Sequence, residues 1–373
     1  MSPSPWEASI STRRAVVAWI VGLAVGVFSY GSAFAQATSS ATVCSPAAGA
    51  GTSGATVCAF DSPGVQSAVL STTTLVTPLA ITSMLSGAIS GRSLSGVTRA
   101  TLGGVSGSGQ TGVAAAAGDA RWNGWFSLAQ NQVGYSFQPL QTSGNVGIAL
   151  GGVDYTFSNN VILGLAASWD RTRVSTTFNG GSLNGNGYML APYIAVPFAK
   201  SWVFDASVGT GRANLSQVDN SVAGGKTGSS VDQRFFGALG LSYAAQAGKW
   251  QLTAKGNLLS AEDKVNQFTL SNGAQVSATT TRVTQVRAGG QAAYDAGMFV
   301  PYVGLYYVND LQAPSQTPVG GISAANDRDG WLAQLGLNIY SRGAVSGGLM
   351  YSTETGRRQV KNNQFIANVA IRF

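Results

Sequence analysis

Between Arg121 and Phe373, apolar and polar residues alternate in twelve successive stretches whose connections are by turns very short and longer. A period of two residues sends successive side chains to opposite faces of a strand. Trp202, Phe204, Ala206 and Val208 share one face, and Asp205, Ser207 and Gly209 share the other. Trp250, Leu252, Ala254 and Leu258 likewise oppose Gln251, Thr253, Lys255 and Asn257. In the same way Trp331, Ala333, Leu335, Leu337 and Ile339 oppose Gln334, Gly336 and Asn338. The pattern predicts strands at 121–131, 144–157, 160–175, 182–198, 201–216, 230–245, 249–262, 279–294, 298–310, 328–340, 343–354 and 362–373. A soluble sandwich also alternates, so this pattern alone does not decide the fold.

Loop order and aromatic placement decide it. Connections at 158–159, 199–200, 246–248, 295–297 and 341–342 are very short. Those near 138–143, 176–181, 217–229, 263–278, 311–327 and 355–361 are mostly much longer, as turns at one membrane face and loops at the other would be. Large aromatics flank the short turns: Phe157, Phe198 and Trp202, Tyr243 and Trp250, Tyr294 and Phe299, and Tyr340. Such rings prefer the headgroup level of a bilayer. Charged residues make up 10% of the chain, against about a quarter in a soluble domain. The expected fold is all-β, a twelve-stranded antiparallel transmembrane β-barrel with its apolar face in lipid and a polar lumen.

Candidate lumen-facing polar residues are Asp205, Arg234, Lys255, Arg287 and Arg372, read as a stabilising hydrogen-bonded network in preference to a conducting pathway. Two features break the regular pattern. The apolar phase shifts between Ile148-Leu150 and Val153-Tyr155, which predicts a β-bulge. Pro192, Pro197 and Pro301 each remove a ladder bond, and only the last two lie near short-turn ends where this is easily tolerated.

Upstream, Arg13 and Arg14 precede an apolar stretch from Ala15 to Tyr30 and a small-x-small site, Ala33-Phe34-Ala35. Residues 1–35 are expected to be a signal peptide cut between Ala35 and Gln36. The apolar run is short for a membrane anchor. Residues 36–118 are rich in Ala, Ser, Thr and Gly and hold the two cysteines, Cys44 and Cys58, which read as one small disulfide loop in an exported chain. From Pro63 to Ile89, several spacings in the apolar series Val65, Val69, Leu70, Leu75, Val76, Leu79, Ile81, Leu85 and Ile89 fit a helical stripe that Pro78 should kink or break. Gly91–Ala117 reads as a flexible linker.

Several function classes fall away. The +7 charge and pI near 9.5 come from scattered residues without an RNA-binding motif, so nucleic acid is not an expected partner. A basic outer face meeting anionic lipid headgroups is the simpler reading. The chain has no His, which removes the imidazole base of a catalytic triad or a barrel hydrolase, and two cysteines alone do not make a zinc site. Glu262-Asp263 and Asp327-Arg328-Asp329 offer neighbouring carboxylates but sit in or beside loops, where solvated charges are the ordinary case. Gly185 and Gly187 precede a strand, so they do not form a phosphate-binding turn. No enzymatic activity and no cofactor are expected.

The last strand alternates Phe365, Ala367, Val369, Ile371 and Phe373 with Ile366, Asn368, Ala370 and Arg372. Phe365, Val369, Ile371 and Phe373 together look like the C-terminal signal read by the outer-membrane barrel assembly machinery. Gly151–Tyr155, Pro301–Leu305 and Asn368–Phe373 are similar to patterns of the autotransporter (type V secretion) translocator domain. The chain resembles that family over residues 119–373. The resemblance implies both barrel ends on the periplasmic side and a linker helix in the pore, best placed at 63–89. It also implies outer-membrane lipid, periplasmic chaperones and the assembly machinery as partners of a monomeric barrel. The expected function is to anchor in the outer membrane and translocate or display the N-terminal segment. The alternative is a plugged barrel or small pore with no export role. The presumed passenger is very short and shows no β-helix repeat.

Overall fold

The computed structural model describes residues 44–46, 56–58, 65, 69, 76–102, 121–137, 140–158, 160–199, 201–221, 224–313, 327–340 and 345–373. The expected signal peptide and its Ala35–Gln36 junction lie outside the described residues.

Two short strands come first, β1 (Cys44–Pro46) and β2 (Thr56–Cys58), followed by helix α1 (Val76–Leu102). The barrel begins with β3 (Trp122–Tyr135), β4 (Thr142–Thr156), β5 (Ile162–Thr176), β6 (Gly181–Ala199), β7 (Trp202–Asp219), β8 (Lys226–Ala247) and β9 (Trp250–Val265). After a small hairpin of β10 (Phe268–Thr269) and β11 (Gln275–Val276), it continues with β12 (Thr279–Tyr294), β13 (Phe299–Gln312), β14 (Asp329–Tyr340), β15 (Val345–Thr355) and β16 (Val360–Arg372). Each barrel strand pairs antiparallel with its neighbours, and β16 closes on β3 from Val360↔Tyr135 to Arg372↔Asn123. Closure leaves no unpaired edge, a condition that lipid imposes because it offers no hydrogen-bonding partner.

All twelve expected strands are present, with β12 spanning the expected 279–294. The expected order of loops holds only in part. Turns at 177–180 and 356–359 lie on the long-loop end yet have four residues each, because their strands run further than the alternation indicated. The loop between β9 and β12 is not open coil. Its β10–β11 hairpin buries Phe268, Leu270 and Val276 together, and the Ser271 amide donates to Thr227 O at 2.8 Å.

The expected bulge in β4 is absent: its register with both β3 and β5 runs without a shift. Ile148 and Leu150 face inward and are buried, whereas Val153 is exposed on the outside. The phase change marks which side of the wall needs apolar atoms at each height. Register shifts occur instead at Pro197/Ala199 and at Thr284/Gln285. Pro192 faces outward, and the β6–β7 ladder skips Ala191 and Pro192 before resuming in the same register. That local gap removes the demand for its missing N–H.

Outward rings form two belts. Trp122, Phe157, Phe198, Trp202, Trp250 and Phe299 are exposed near the short-turn end, while Trp169, Tyr188, Phe235, Tyr307 and Trp331 are exposed towards the long-loop end. Tyr340, expected in the first belt, is 7% exposed and faces the lumen. It occupies an even position on β14, whose odd positions (Trp331, Leu335) face out. Inside, large rings lie over glycines of adjacent strands: Trp125 over Gly152, Tyr193 over Gly164, Phe236 over Gly209 and Tyr302 over Gly336. A β-carbon on Gly152 would stand 2.6 Å from the Trp125 ring, so the position admits no side chain without moving it.

Candidate functional site

The site is the lumen. Helix α1 passes through it, roughly 40 Å long at 1.5 Å per residue, against about 30 Å of hydrocarbon in a bilayer. The sequence placed this helix at 63–89 with a break at Pro78, and the structure moves its start to Val76 and its end to Leu102. Pro78 falls in the first turn, where the backbone N–H has no intrahelical acceptor and the fixed φ suits the helix. The Thr82 hydroxyl donates to Pro78 O at 2.5 Å. The expected linker from Gly91 is therefore helical as far as Leu102. Val65 and Val69 are helical too, but at the long-loop mouth.

The described face of α1 explains why the lumen is less polar than the alternation suggested. Ile81, Met84, Leu85 and Ile89 share one apolar cluster with inward Ile148, Leu150, Met189 and Phe236. Ile81 and Leu85 are 1% and 0% exposed, burial that favours occupancy by roughly 1.5–3 kcal/mol per side chain. The helix lies against β4–β9 and packs most closely on β6, β7 and β8.

Polar contacts set its height. The Lys255 ammonium donates to Ser86 O at 3.0 Å, and Arg287 Nη1 donates to Ser83 Oγ at 2.8 Å. The Ser86 hydroxyl lies 3.4 Å from Asp205 Oδ1 and 3.2 Å from Asn257 Oδ1. Asp205, Lys255 and Arg287 thus meet on one turn of α1. Arg234 does not join them. It sits nearer the long-loop end, where Nη1 contacts both Asp170 oxygens at 2.8 and 2.9 Å and Nε contacts Asp232 at 2.8 Å. The guanidinium crosses Gly187, where an added β-carbon would come within 2.7 Å of both Arg234 and Asp170. Asp232 shares the inner face of β8 with Arg234 two residues away, a pairing the alternation could have shown, whereas Asp170 lies on β5 and meets Arg234 only through the folded barrel. Arg372 pairs with Asn123 through its backbone, and its side chain lies outside the described residues.

The neighbouring carboxylates separate. Glu262 faces outward and pairs with Arg282 at 2.6 Å, while Asp263 is buried on the opposite face of the same strand. Asp327 ties a loop, accepting the backbone N–H groups of Arg358, Gln359 and Val360 at 2.8, 2.8 and 3.3 Å. Beside it, Arg357 contacts Asp310 and Glu354, each at 2.6 Å. Burial works against the Arg357 charge, but the Asp310 hydrogen bond and the charges of Glu354, Asp310 and Asp327 outweigh it and raise its pKa above the ordinary value.

A closed antiparallel barrel with a helix in its lumen defines a class of outer-membrane translocator. The sequence profile of the autotransporter beta-domain matches residues 121–352, and the chain belongs to that family. No curated protein sequence matches the chain. Among solved structures it is similar to the translocator domain of autotransporter NalP from Neisseria meningitidis, with 16% identity over 68% of this chain and 90% of that one, at a TM-score of 0.60. The beta domain of the Bordetella autotransporter BrkA aligns at 14% identity, covering 68% of this chain and 100% of its own, with a TM-score of 0.56. The transport unit of AIDA-I from Escherichia coli gives 12%, 67%, 90% and 0.52 in the same order. The barrel is an outer-membrane translocator domain whose outward face contacts lipid, and the β-domains of this family are generally non-enzymatic.

Proposed function

We propose that this barrel carries its own N-terminal segment through the lumen and holds it at the cell surface as a docked cap. The observation that carries the reading is the course of α1. Ser83 and Ser86 meet Arg287, Lys255 and Asn257 partway along the wall, and the chain rejoins the barrel at Trp122, at the short-turn end. Upstream of α1, Val65 and Val69 are buried at the opposite mouth with Tyr135, Leu140, Val174 and Leu183. The chain therefore enters from the short-turn side, which is the periplasmic face in this reading, and emerges at the long-loop face. There β2 lies against the turn at 177–179, and β1 pairs with β2 so that Cys44 stands directly opposite Cys58. Directly opposed antiparallel residues have Cα atoms about 4.5–5.5 Å apart, within disulfide reach. The staple holds a small hairpin at the mouth.

Residues 1–35 act as the export signal in this account, and Phe365, Val369, Ile371 and Phe373, all exposed on the outer face of the barrel's final strand segment, present the assembly signal to periplasmic chaperones and the barrel assembly machinery. The barrel works as a monomer, without nucleic acid. No enzymatic step is assigned to the displayed segment, which has no His to serve as an imidazole base. Display, adhesion or capping by this segment needs only its surface.

The test is an epitope after Ser40 in the full chain, probed with antibody and protease on intact Gram-negative cells. Access from outside, with the barrel retained in the outer-membrane fraction, is the expected result. Access only after permeabilising the outer membrane would reverse the polarity and return the chain to a plugged barrel without an export role.

A further inference from the structure

The outward wall of β5–β9 sorts its charges by sign. On β5, Asp170 points into the lumen while Arg171 and Arg173 point out and are exposed; on β9, Asp263 points in while Lys264 points out. Arg212 on β7 is exposed in the same band. Every described carboxylate of β3–β9 faces inward except Glu262, and Arg282 already neutralises that one. The four outward cations therefore have no acidic partner on their own face.

Their height is set by rings. Arg171 follows Trp169 by two residues on the same face, and Trp169 stands opposite Tyr188, which in turn stands opposite Arg212. Trp169 and Tyr188 point outward towards the long-loop end, and rings of this kind favour the membrane interface, so Arg212 lies at that level and Arg171 and Arg173 beyond it. Arg212 and Lys264 flank Gln233 at one level, ~10 Å apart across two strand spacings, and Arg171 and Arg173 are ~7 Å apart along one strand. Arginine fits phosphate through paired N–H donors, and a charge-assisted contact of this kind gains strength where water is partly excluded.

We infer that this face, with Arg212 and Lys264 in register with Trp169 and Tyr188 and with Arg171 and Arg173 beyond them, binds the phosphate-bearing headgroup of an outer-leaflet glycolipid. The inference rests on the polarity proposed above for the physiological leaflet, but the binding chemistry does not. Acyl chains would lie along the apolar wall below the rings while the phosphates meet the cations.

The experiment uses the full-length protein folded in detergent and follows retention of bis-phosphorylated lipid A by native mass spectrometry. Dephosphorylated lipid A and inorganic phosphate serve as the other two probes. Folding is checked independently by heat-shift electrophoresis. The quadruple variant R171Q/R173Q/R212Q/K264Q is expected to lose at least tenfold in retention of the bis-phosphorylated lipid, and R171Q/R173Q and R212Q/K264Q each to lose part of it. The double variant E262Q/R282Q is expected to retain it as the parent does. Undiminished retention by folded variants would overturn the inference, as would equal retention of dephosphorylated lipid A. Displacement of the lipid by millimolar inorganic phosphate would show a simple anion site and overturn the lipid assignment. The measurement in detergent is blind to orientation, so a reversed polarity in the Ser40 epitope test would leave it standing as chemistry.

Discussion

The two sides of the barrel differ in build. Strands β6, β7 and β8 have 19, 18 and 22 residues, whereas β14 and β15 have 12 and 11. The tall side packs α1, holds Arg234 between Asp170 and Asp232, and presents the outward cations. The short side secures itself at its rim, through Arg357 with Asp310 and Glu354 and through Asp327 on three backbone amides. Such a barrel is therefore not a symmetric container. One wall acts as the bed for the helix, and the other closes the ring behind it.

Mutations can break this contrast at graded cost. Arg234→Leu should have the largest effect, because it leaves two buried carboxylates facing one another; the loss should be about 3–5 kcal/mol. The urea midpoint of the barrel folded into lipid vesicles, followed by tryptophan fluorescence, would show it. Phe236→Ala should cost about 3 kcal/mol in the same assay, since the ring fills the space over Gly209 within the cluster that holds α1. A drop below about 1 kcal/mol would mean that the tall wall collapses around the void and does not depend on this packing. Glu262→Gln should change stability by less than about 1 kcal/mol, because its ion pair with Arg282 is roughly one-third exposed on both partners.

The barrel was legible in the sequence because its strands need apolar residues at alternate positions on the outer face, and Trp202, Phe204 and Ala206 keep that phase without interruption. Where the inner face is apolar too, the signal fails. Ile148 and Leu150 looked like a phase error until α1 supplied the surface that they cover. Pro78 was read as a breaker because its position in the first turn depends on where the helix starts, which tertiary packing decides. Lys255 and Arg287 could be assigned to the lumen from alternation alone. Their targets, Ser83 and Ser86, could not, since no local pattern fixes the height of a helix inside a ring of strands. The Gly185-x-Gly187 spacing gave no chemistry in one dimension; in the barrel Gly187 is the floor beneath the Arg234–Asp170 contact.

Helix α1 rests in the lumen against the tall wall. Cross-linking in the outer membrane, in a chain whose native cysteines are replaced by serine, checks this placement. Ser86→Cys combined with Asn257→Cys should oxidise to a disulfide-closed barrel that migrates faster on a denaturing gel, because these side chains already meet at 3.2 Å. Ser86→Cys with Asn338→Cys, whose partner is buried on the inner face of the short wall, should remain unlinked. Linking to position 338 and not to 257 would contradict the account.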